Sequence, residues 1–439
     1  MNKKNPKIAV IGAGASGLSA AYYLTKSGYS VDVFESSSEI GGLGASYGVE
    51  GYHAEKFVHH LFDSDIYFKN LIDELGLSHQ LEYQKSKDAI YISNKIFPFS
   101  SAFDLLTFSP ISIISRVRTG FMAVYLKKTK GYQKFEKHTA QNIITKIAGK
   151  ESFQKVWEPL LISKFGKHSP KISMAWFWAR IYSRTPKLGY LNGGYKLLFE
   201  VMVKKIKEKK GQIFLSTPIV KIQTDKRGNF TLYSPKKHYQ YDYVIVTIPP
   251  SVFEKITPKI QKTNYAKKLR LKEMISATSL NLVLKKSFMS YYWLNIVEKD
   301  FPFLVLVEHT NLIPKEKYGG RIMLYIGNYL NHTDQKFINT KEKNLELFLP
   351  YLKKINPKFS SSWIKSYSQF NALYAQPIVD TKYSDSIPSM KTPVKNLFLT
   401  TMSQIYPFDR GTNYAIRDGK KIAQLISNSL PDRSSPKNS

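Results

Sequence analysis

The chain has 439 residues, which is enough for two lobes around a large core. It contains no cysteine, which excludes disulfide bonds, thiolate metal sites and a cysteine nucleophile. The net charge of +32 comes almost entirely from lysine, since only ten of the 65 basic residues are arginine. With no nucleic-acid-binding motif and few arginines, the sequence predicts no nucleic-acid partner. Lysine at ordinary surface positions explains the charge, and an anionic substrate or an anionic membrane face is the alternative.

The nine histidines show no His-x-x-x-His or comparable spacing, so no metal site is predicted. No uninterrupted apolar run reaches membrane-spanning length, and the first apolar run is too short for the core of a signal peptide. We therefore expect a cytoplasmic protein, with peripheral contact at the inner membrane face as a second possibility.

The chain opens with the parts of a dinucleotide-binding βαβ unit. Residues 8–11 form a predicted apolar strand, residues 16–26 a helix and residues 29–34 a second strand. Three glycines fill the turn between the first strand and the helix, namely Gly12, Gly14 and Gly17. Their spacing allows a tight turn, close approach of the backbone to a pyrophosphate, and close packing of helix on strand. Glu35, at the end of the second strand, is placed to accept hydrogen bonds from an adenosine ribose.

Three later segments extend this pattern. The pair Gly41-Gly42 follows Glu35 closely, residues 241–250 predict a buried strand that ends in a Thr-x-Pro turn, and residues 396–401 predict another strand before a loop and a helix. Together with the βαβ unit, these segments resemble the amine oxidase superfamily of flavoproteins. That superfamily includes monoamine oxidases, protoporphyrinogen oxidase, phytoene desaturases and UDP-galactopyranose mutases.

The resemblance implies that the cofactor is FAD. It implies that the helix after Gly411 points its N-terminus at the flavin, where free N–H groups and the positive end of the helix dipole stabilise a reduced, anionic ring. The usual Gly-Asp of the closing strand is replaced by Thr400-Thr401, so Arg410 is expected to serve the pyrophosphate instead. The backbone around Val220 is expected to meet the adenine. The cofactor-binding residues implied are Gly12, Gly14, Ala15, Ser16, Gly17, Glu35, Gly41, Gly42, Val220, Arg410, Gly411, Thr412 and Asn413.

The predicted fold class is α/β, with a discontinuous Rossmann-type FAD-binding domain and an inserted α+β substrate domain. The FAD-binding domain is expected to comprise residues 1–95, 190–275 and 385–430. The substrate or cap domain comprises residues 96–189, predicted to be helical, and residues 276–384, predicted to form strands. Residues 431–439 are polar and predict a flexible tail.

The segment 97–130 combines many apolar residues with a Lys127-Lys128 end. Such a pattern predicts either a helical cap over the active site with a buried apolar face, which we favour, or a helix pair lying on a bilayer. The two interpretations do not exclude each other.

Candidate catalytic residues lie in two places. The segment His60-Leu-Phe62 resembles the His-x-Phe segment that meets the flavin in UDP-galactopyranose mutases, so His60 or His59 is a candidate to tune the flavin or shuttle a proton. Packing or capping at a loop is the alternative for both histidines. Lys164 is a further candidate, facing an anionic substrate, with Arg180 beside it; the nearby tryptophans are expected to be core residues.

The function implied is that of an FAD-dependent oxidoreductase of the amine oxidase or protoporphyrinogen oxidase-like type. It would abstract a hydride from a C–N or C–C bond of a small hydrophobic, lipid-like or anionic substrate. The sequence has no second GxGxxG motif, so oxygen, a quinone or another carrier is expected to reoxidise the flavin. The alternatives are a redox-neutral nucleotide-sugar mutase that resembles UDP-galactopyranose mutase, and a non-catalytic flavin-bound partner protein.

Overall fold

The computed structural model describes residues 6–430; the predicted flexible tail, residues 431–439, lies outside the described residues. The strands are, in chain order, β1 (Ile8–Ile11), β2 (Val31–Phe34), β3 (Ser46–Val49), β4 (Tyr52–Glu55), β5 (Leu61–Phe62), β6 (Leu81–Lys85), β7 (Asp88–Ile92), β8 (Lys95–Pro98), β9 (Lys187–Leu191), β10 (Gln212–Phe214), β11 (Lys221–Thr224), β12 (Phe230–Tyr233), β13 (His238–Tyr241), β14 (Tyr243–Val246), β15 (Met274–Leu284), β16 (Trp293–Ile296), β17 (Val305–Glu308), β18 (Ile322–Leu330), β19 (Ile364–Pro377) and β20 (Leu397–Leu399).

The α-helices are α1 (Ala15–Lys26), α2 (Ile66–Glu74), α3 (Ala102–Leu106), α4 (Ile113–Lys128), α5 (Ala140–Ala148), α6 (Lys150–Ser152), α7 (Glu158–Phe165), α8 (Met174–Ser183), α9 (Gly194–Glu208), α10 (Pro250–Ile256), α11 (Asn264–Arg270), α12 (Gln335–Ile338), α13 (Lys341–Ile355) and α14 (Thr412–Ser427). One π-helical stretch, Phe153–Trp157, leads from α6 into α7.

Five parallel strands form the sheet that carries the GxGxxG turn, in the order β10-β2-β1-β14-β20. Helices α1 and α9 cover one face through a core that contains Leu18 and Leu198. The antiparallel strands β11–β13 and helix α10 cover the other face, with Phe230 and Phe253 in the core between them. Helices and strands on both faces explain why the central strands are almost continuously apolar. The predicted α/β class with a Rossmann-type sheet is confirmed.

The βαβ unit follows its prediction closely. Strand β1 has the predicted bounds, and α1 begins one residue earlier than predicted, at Ala15. Strand β2 begins at Val31 rather than at residue 29, because the N–H of Tyr29 donates to the carbonyl of Leu24 and so still belongs to the end of α1. Strands β11 and β12 form an antiparallel hairpin that turns at residues 225–229.

A seven-stranded sheet forms the second lobe, in the order β19-β15-β18-β17-β16-β7-β8. Its pairs are antiparallel except for β16 beside β7. Helix α13 packs on one face through Phe348 and Leu352. Strands β7 and β8 lie around residue 95, where the sequence predicts the end of the first FAD-binding segment. Both belong to the inserted sheet because β7 is fully buried beside β16, some 200 residues later in the chain. The division into domains otherwise stays a prediction.

Helices α3 to α8 form a helical layer from residue 102 to residue 183, as the sequence predicts for the first inserted segment. Its core contains Met122, Phe135, Trp176 and Trp178. The two tryptophans are each 2 % exposed, so they are core residues, as predicted.

Candidate active site

The glycine turn after β1 leaves no room for side chains at two of its three glycines. A Cβ at Gly17 would lie 1.9 Å from the carbonyl oxygen of Gly12. A Cβ at Gly12, whose φ is +107°, would lie 2.4 Å from Oγ1 of Thr247. That hydroxyl donates to the carbonyls of Ile11 and Gly12 at 3.0 and 3.2 Å, so the Thr-x-Pro turn after β14 braces the glycine turn.

Gly14 is different, because the space beside it is open. The atoms nearest to a Cβ there are Gly41 O and Gly42 Cα, both at 4.0 Å. Gly14 and Gly41 form a parallel bridge, and the N–H of Gly41 donates to the carbonyl of Ala13 at 2.8 Å. The structure therefore brings the two glycine motifs together at the N-terminus of α1, where Ala15 and Ser16 begin the helix. No side chain caps this N-terminus, so its N–H groups face the position that a pyrophosphate would take.

Glu35 lies at the end of β2 with its carboxylate fixed against the same turn. Its Oε2 accepts from the N–H of Ala13 at 2.8 Å, and its Oε1 accepts from the N–H of Ser37 at 2.9 Å. Oε1 also accepts from the hydroxyl of Ser36 at 3.2 Å, whereas Oε2 keeps a further lone pair, which suits a ribose hydroxyl. Val220 is 53 % exposed, and its N–H donates to the carbonyl of Tyr233 at 2.8 Å. The N–H of Val220 is therefore already paired, and an adenine contact at this residue stays a prediction.

Helix α14 begins beside this region with an uncapped N-terminus. Gly411 precedes the helix in an extended conformation, and no side chain accepts from the first turn. The hydroxyl of Thr412 shares a hydrogen bond with Tyr195. Asn413 has a structural role that the sequence does not show: its buried Oδ1 accepts from the N–H groups of Tyr67 and Phe68 at 2.9 and 3.0 Å. These are free donors of the first turn of α2, so the Asn413 side chain faces α2 rather than a cofactor.

Between β20 and α14, two buried polar side-chain atoms have no hydrogen-bond partner within residues 6–430. One is Nε of Arg410, whose Nη2 donates to the hydroxyl of Tyr329 at 3.0 Å. The other is Oγ1 of Thr400, a fully buried residue that follows β20. Buried polar groups normally have partners. Together with the glycine turn and Glu35, these two atoms suit the polar groups of an extended dinucleotide, so the residues present fit FAD.

A cluster of charged side chains lies beside Arg410. Asp409 accepts from Nζ of Lys164 at 3.0 Å, from Nε1 of Trp176 at 3.2 Å and from Nη1 of Arg180. We call Lys164, Arg180, Asp409 and Arg410 the Asp409 cluster. Helices α7 and α8 supply the first two residues, and the loop before α14 supplies the others.

The Asp409 cluster holds three cations around one carboxylate. Burial alone would raise the pKa of Asp409, but Lys164, Arg180 and Arg410 outweigh it and hold that pKa below its usual range. Burial and the neighbouring Arg180 lower the pKa of Lys164. Burial would raise the pKa of Tyr329, but Arg410 and Lys164 bring it below its ordinary value. The excess positive charge is therefore strong enough to favour a nearby anion.

The two candidate histidines are held as neutral side chains. Nδ1 of His59 lies 2.7 Å from the carbonyl of Phe57, and Nδ1 of His60 lies 2.9 Å from the hydroxyl of Tyr292. Burial lowers the pKa of His59 to about 4 and that of His60 to about 3. At neutral pH both are hydrogen-bonding groups rather than cations, and a catalytic role for either stays a prediction.

Glu55 has a clearer structural role than the sequence indicates. The carboxylate is buried and accepts from the hydroxyl of Tyr190 at 2.7 Å and from the N–H of Tyr195 at 3.0 Å. Burial raises its pKa. Because Tyr195 lies in the first turn of α9, Glu55 ties β4 of the glycine-rich segment to that helix, which favours negative charge there.

Within residues 6–430, no group of three or more histidine or acidic side chains is arranged to hold a metal ion. Within the same residues, no helix combines the length and apolar character needed to cross a membrane.

Comparison with known proteins gives a family that spans almost the whole chain. The profile of the family described as flavin containing amine oxidoreductase matches residues 15–427. Among curated proteins, the chain is 27 % identical over 187 residues to mitochondrial protoporphyrinogen oxidase of Nicotiana tabacum, covering 42 % of this chain and 37 % of that one. It is 24 % identical over 287 residues to coproporphyrinogen III oxidase of Staphylococcus aureus, covering 56 % and 61 %. It is also 27 % identical over 275 residues to an L-amino-acid oxidase of Demansia vestigiata, covering 55 % and 50 %. The matches thus span less than two thirds of each relative.

Solved structures show the same fold at low identity. A putative protoporphyrinogen oxidase from Exiguobacterium superposes with a TM-score of 0.79 at 15 % identity, covering 97 % of this chain and 100 % of that one. Reduced UDP-galactopyranose mutase superposes with a TM-score of 0.75 at 15 % identity, covering 97 % and 96 %.

Proposed function

Because the chain belongs to the family of flavin-containing amine oxidoreductases and is an FAD-dependent enzyme of that family, we propose that it removes a hydride from a C–N or C–C bond of a small anionic substrate. The observation that carries the proposal is the Asp409 cluster. It holds three cations around one carboxylate, directly before the uncapped N-terminus of α14.

The geometry supports a separate role for the flavin, for the start of α14 and for the side chains of the Asp409 cluster. The flavin, when bound, supplies the hydride acceptor. The free N–H groups at the start of α14 stabilise negative charge near that end of the site. Lys164 and Arg180 attract the acidic group of the substrate, and Asp409 holds both cations in fixed positions. The rings of Trp176 and Tyr329 lie 5.0 and 5.4 Å from Nζ of Lys164, so they restrict water around it and strengthen its attraction for an anion.

The relatives support an anionic substrate. Their names specify protoporphyrinogen, coproporphyrinogen III and L-amino acids, and all three classes of compound carry carboxylates. We propose that the substrate of this chain likewise carries a carboxylate.

The first test is the visible spectrum of the purified protein and chromatography of the cofactor released on denaturation. The second is anaerobic reduction of the flavin by porphyrinogens and L-amino acids, each compared with its methyl ester. We expect the free acid to bleach the flavin faster than its ester.

Lys164→Met and Arg180→Met should each lower kcat/KM for the acid by at least about tenfold, since each removes one charge-assisted contact. The ester should be affected much less.

Lys167→Met is the matched control, because Lys167 is an exposed lysine in the 3-10 helical turn that follows α7. Equal losses for acid and ester in both site variants would contradict recognition of an anion. Turnover of UDP-galactopyranose by pre-reduced enzyme, with no bleaching by any acid, would instead support the mutase alternative.

A further inference from the structure

Helices α3 and α4 expose an unusual amount of apolar surface. Seven large apolar side chains between residues 103 and 124 are each 54 to 73 % exposed. We call them the α3–α4 face; they are Phe103, Leu106, Ile113, Ile114, Val117, Phe121 and Val124. Elsewhere in residues 6–430, exposed large apolar side chains occur at scattered positions. Single exposed apolar residues are ordinary, but a contiguous set marks a surface that is covered in use.

The outward stripe of α4 is distinct from the stripe that the helix buries. Ile113, Val117, Phe121 and Val124 recur at helical spacing and face outward. The opposite side, which packs on the helical layer, contains Ser115, Thr119, Met122 and Leu126. A cap with its apolar face turned to the active site would bury the first set. The structure instead buries a partly polar stripe and leaves the more apolar one outside.

Hydrogen bonds from two arginine side chains hold α4 in place behind the α3–α4 face. Arg116 donates from Nε to the carbonyl of Ile111 at 2.9 Å and from Nη1 to the carbonyl of Leu106 at 2.8 Å, which fixes α4 against the end of α3. Arg118 donates to the carbonyls of Lys146 and Ile147. The exposed side chains are therefore presented together, and docking need not order them first.

The positive charge of the residues around the α3–α4 face indicates which kind of partner binds there. Residues 102–130 contain five cations and one acidic residue, Asp104, whose carboxylate is used in a capping box with Ser101. The whole chain carries a net charge of +32. A second copy of the chain would bring the same positive charge to the contact, whereas an anionic surface would be attracted. We infer that the α3–α4 face docks on an anionic lipid bilayer, with the apolar side chains entering the interface between headgroups and acyl chains.

The face is also connected to the candidate active site through α8. Nζ of Lys127 donates to the carbonyls of Tyr182 and Arg184 at the end of α8, and Nε1 of Trp178 donates to the carbonyl of Thr129 after α4. Helix α8 also carries Arg180 of the Asp409 cluster. Docking therefore places the helical layer next to the membrane. This layer carries the cationic side chains that are proposed to bind the substrate.

The test is flotation of the full-length FAD-loaded protein with vesicles. One set contains phosphatidylcholine alone, and the other contains about one third phosphatidylglycerol. We expect binding to the phosphatidylglycerol vesicles, and weaker binding as salt is added. The triple variant Phe103→Ser, Ile114→Ser, Phe121→Ser should lower the partition coefficient by at least about tenfold. Its flavin spectrum and circular dichroism should match those of the parent protein, which establishes that it is folded.

A matched control triple variant is Leu271→Ser, Ile338→Ser, Leu347→Ser, which removes three exposed apolar side chains outside the α3–α4 face. It should bind vesicles as the parent does. Failure of the parent to bind either vesicle set, or equal binding by the two triple variants, would overturn the inference. So would a stable dimer in solution that the face variant dissociates. Vesicle binding is measured without turnover, so its result is independent of the proposed reaction.

Discussion

Asp409 organises the polar end of the site through single contacts to three other side chains. It accepts from Lys164, Trp176 and Arg180, which come from two helices more than 200 residues earlier in the chain. The cations hold its pKa below the usual range. A carboxylate of this kind stabilises the fold above its unfolded pKa, and the contribution is lost as the pH falls through the folded pKa.

Buried histidines give the protein a second sensitivity to acid. Burial lowers the pKa of His309 to about 3, and Nε2 of this residue lies 3.0 Å from the hydroxyl of Tyr318. Between this value and the ordinary value of about 6.5, the unfolded chain binds a proton that the folded chain does not. The stabilising contribution is therefore fully present above about pH 6.5 and is lost as the pH falls below it.

We expect His309→Gln to make the pH dependence of stability shallower. Glutamine keeps a hydrogen bond to Tyr318 and cannot take up a proton. The free energy of unfolding should fall less steeply between about pH 6.5 and about pH 5, by roughly 1 kcal/mol per pH unit. Urea denaturation at several pH values measures this slope. His79→Gln, at an exposed histidine, is the control and should keep the parental slope; an unchanged slope in His309→Gln would contradict the expectation.

Among the structural elements, the turn from β1 into α1 separates two uses of glycine. Gly12 and Gly17 are required by packing within the protein, since any Cβ there would overlap neighbouring atoms. Gly14 has only ordinary contacts around a Cβ. We propose that Gly14 is needed for close approach of the cofactor to the backbone, so folding and cofactor binding can be tested separately at this position.

Gly14→Ala should fold normally and bind FAD at least about tenfold more weakly, which corresponds to about 1.4 kcal/mol. The added methyl group would occupy the space through which the pyrophosphate approaches α1. Fluorescence titration of the apoprotein with FAD measures the affinity, and circular dichroism checks the fold. Gly48→Ala is the matched control, because a Cβ at Gly48 meets nothing within 4 Å and lies in β3. Equal affinity in the two variants would show that Gly14 does not adjoin the cofactor.

Considered as a whole, the molecule is built around a junction between its two lobes. The parallel sheet, the first turn of α14 and the loop that carries Arg410 come from the FAD-binding part, while Tyr329 comes from the inserted sheet. A ligand that forms a hydrogen bond with Arg410 therefore binds where the two lobes contact each other.

Removal of FAD should lower the stability of the entire chain. The apoprotein loses the binding free energy, so the Tm should fall, and FAD added at about 1,000 times its Kd should restore about 4 kcal/mol. Differential scanning calorimetry of the holoprotein, the apoprotein and the reconstituted protein measures the change. The Gly14→Ala protein should need more FAD for the same recovery. A Tm that does not respond to FAD would contradict binding at this junction.

The sequence was sufficient for the βαβ unit and for a dinucleotide cofactor, because the groups involved are neighbours in the chain or meet through one strand register, whereas the family resemblance indicated that the dinucleotide is FAD. The spacing of Gly12, Gly14 and Gly17 describes a single turn, and Glu35 lies at the end of the adjacent strand. Helix α14 was expected from the resemblance of residues 411–419 to the amine oxidase superfamily, and in the structure its uncapped start follows Gly411.

The tertiary structure alone decided which side chains share the site and which face outward. Lys164 and Asp409 are 245 positions apart, and Asn413 caps α2 across 346 positions, so no local pattern could pair them. Strand β7 joined the inserted sheet for the same reason. Helix α4 carries an apolar stripe and a partly polar one, and packing against the helical layer buried the partly polar stripe. Periodicity specifies that a helix is apolar on a given side, but only its neighbours determine the side that meets solvent.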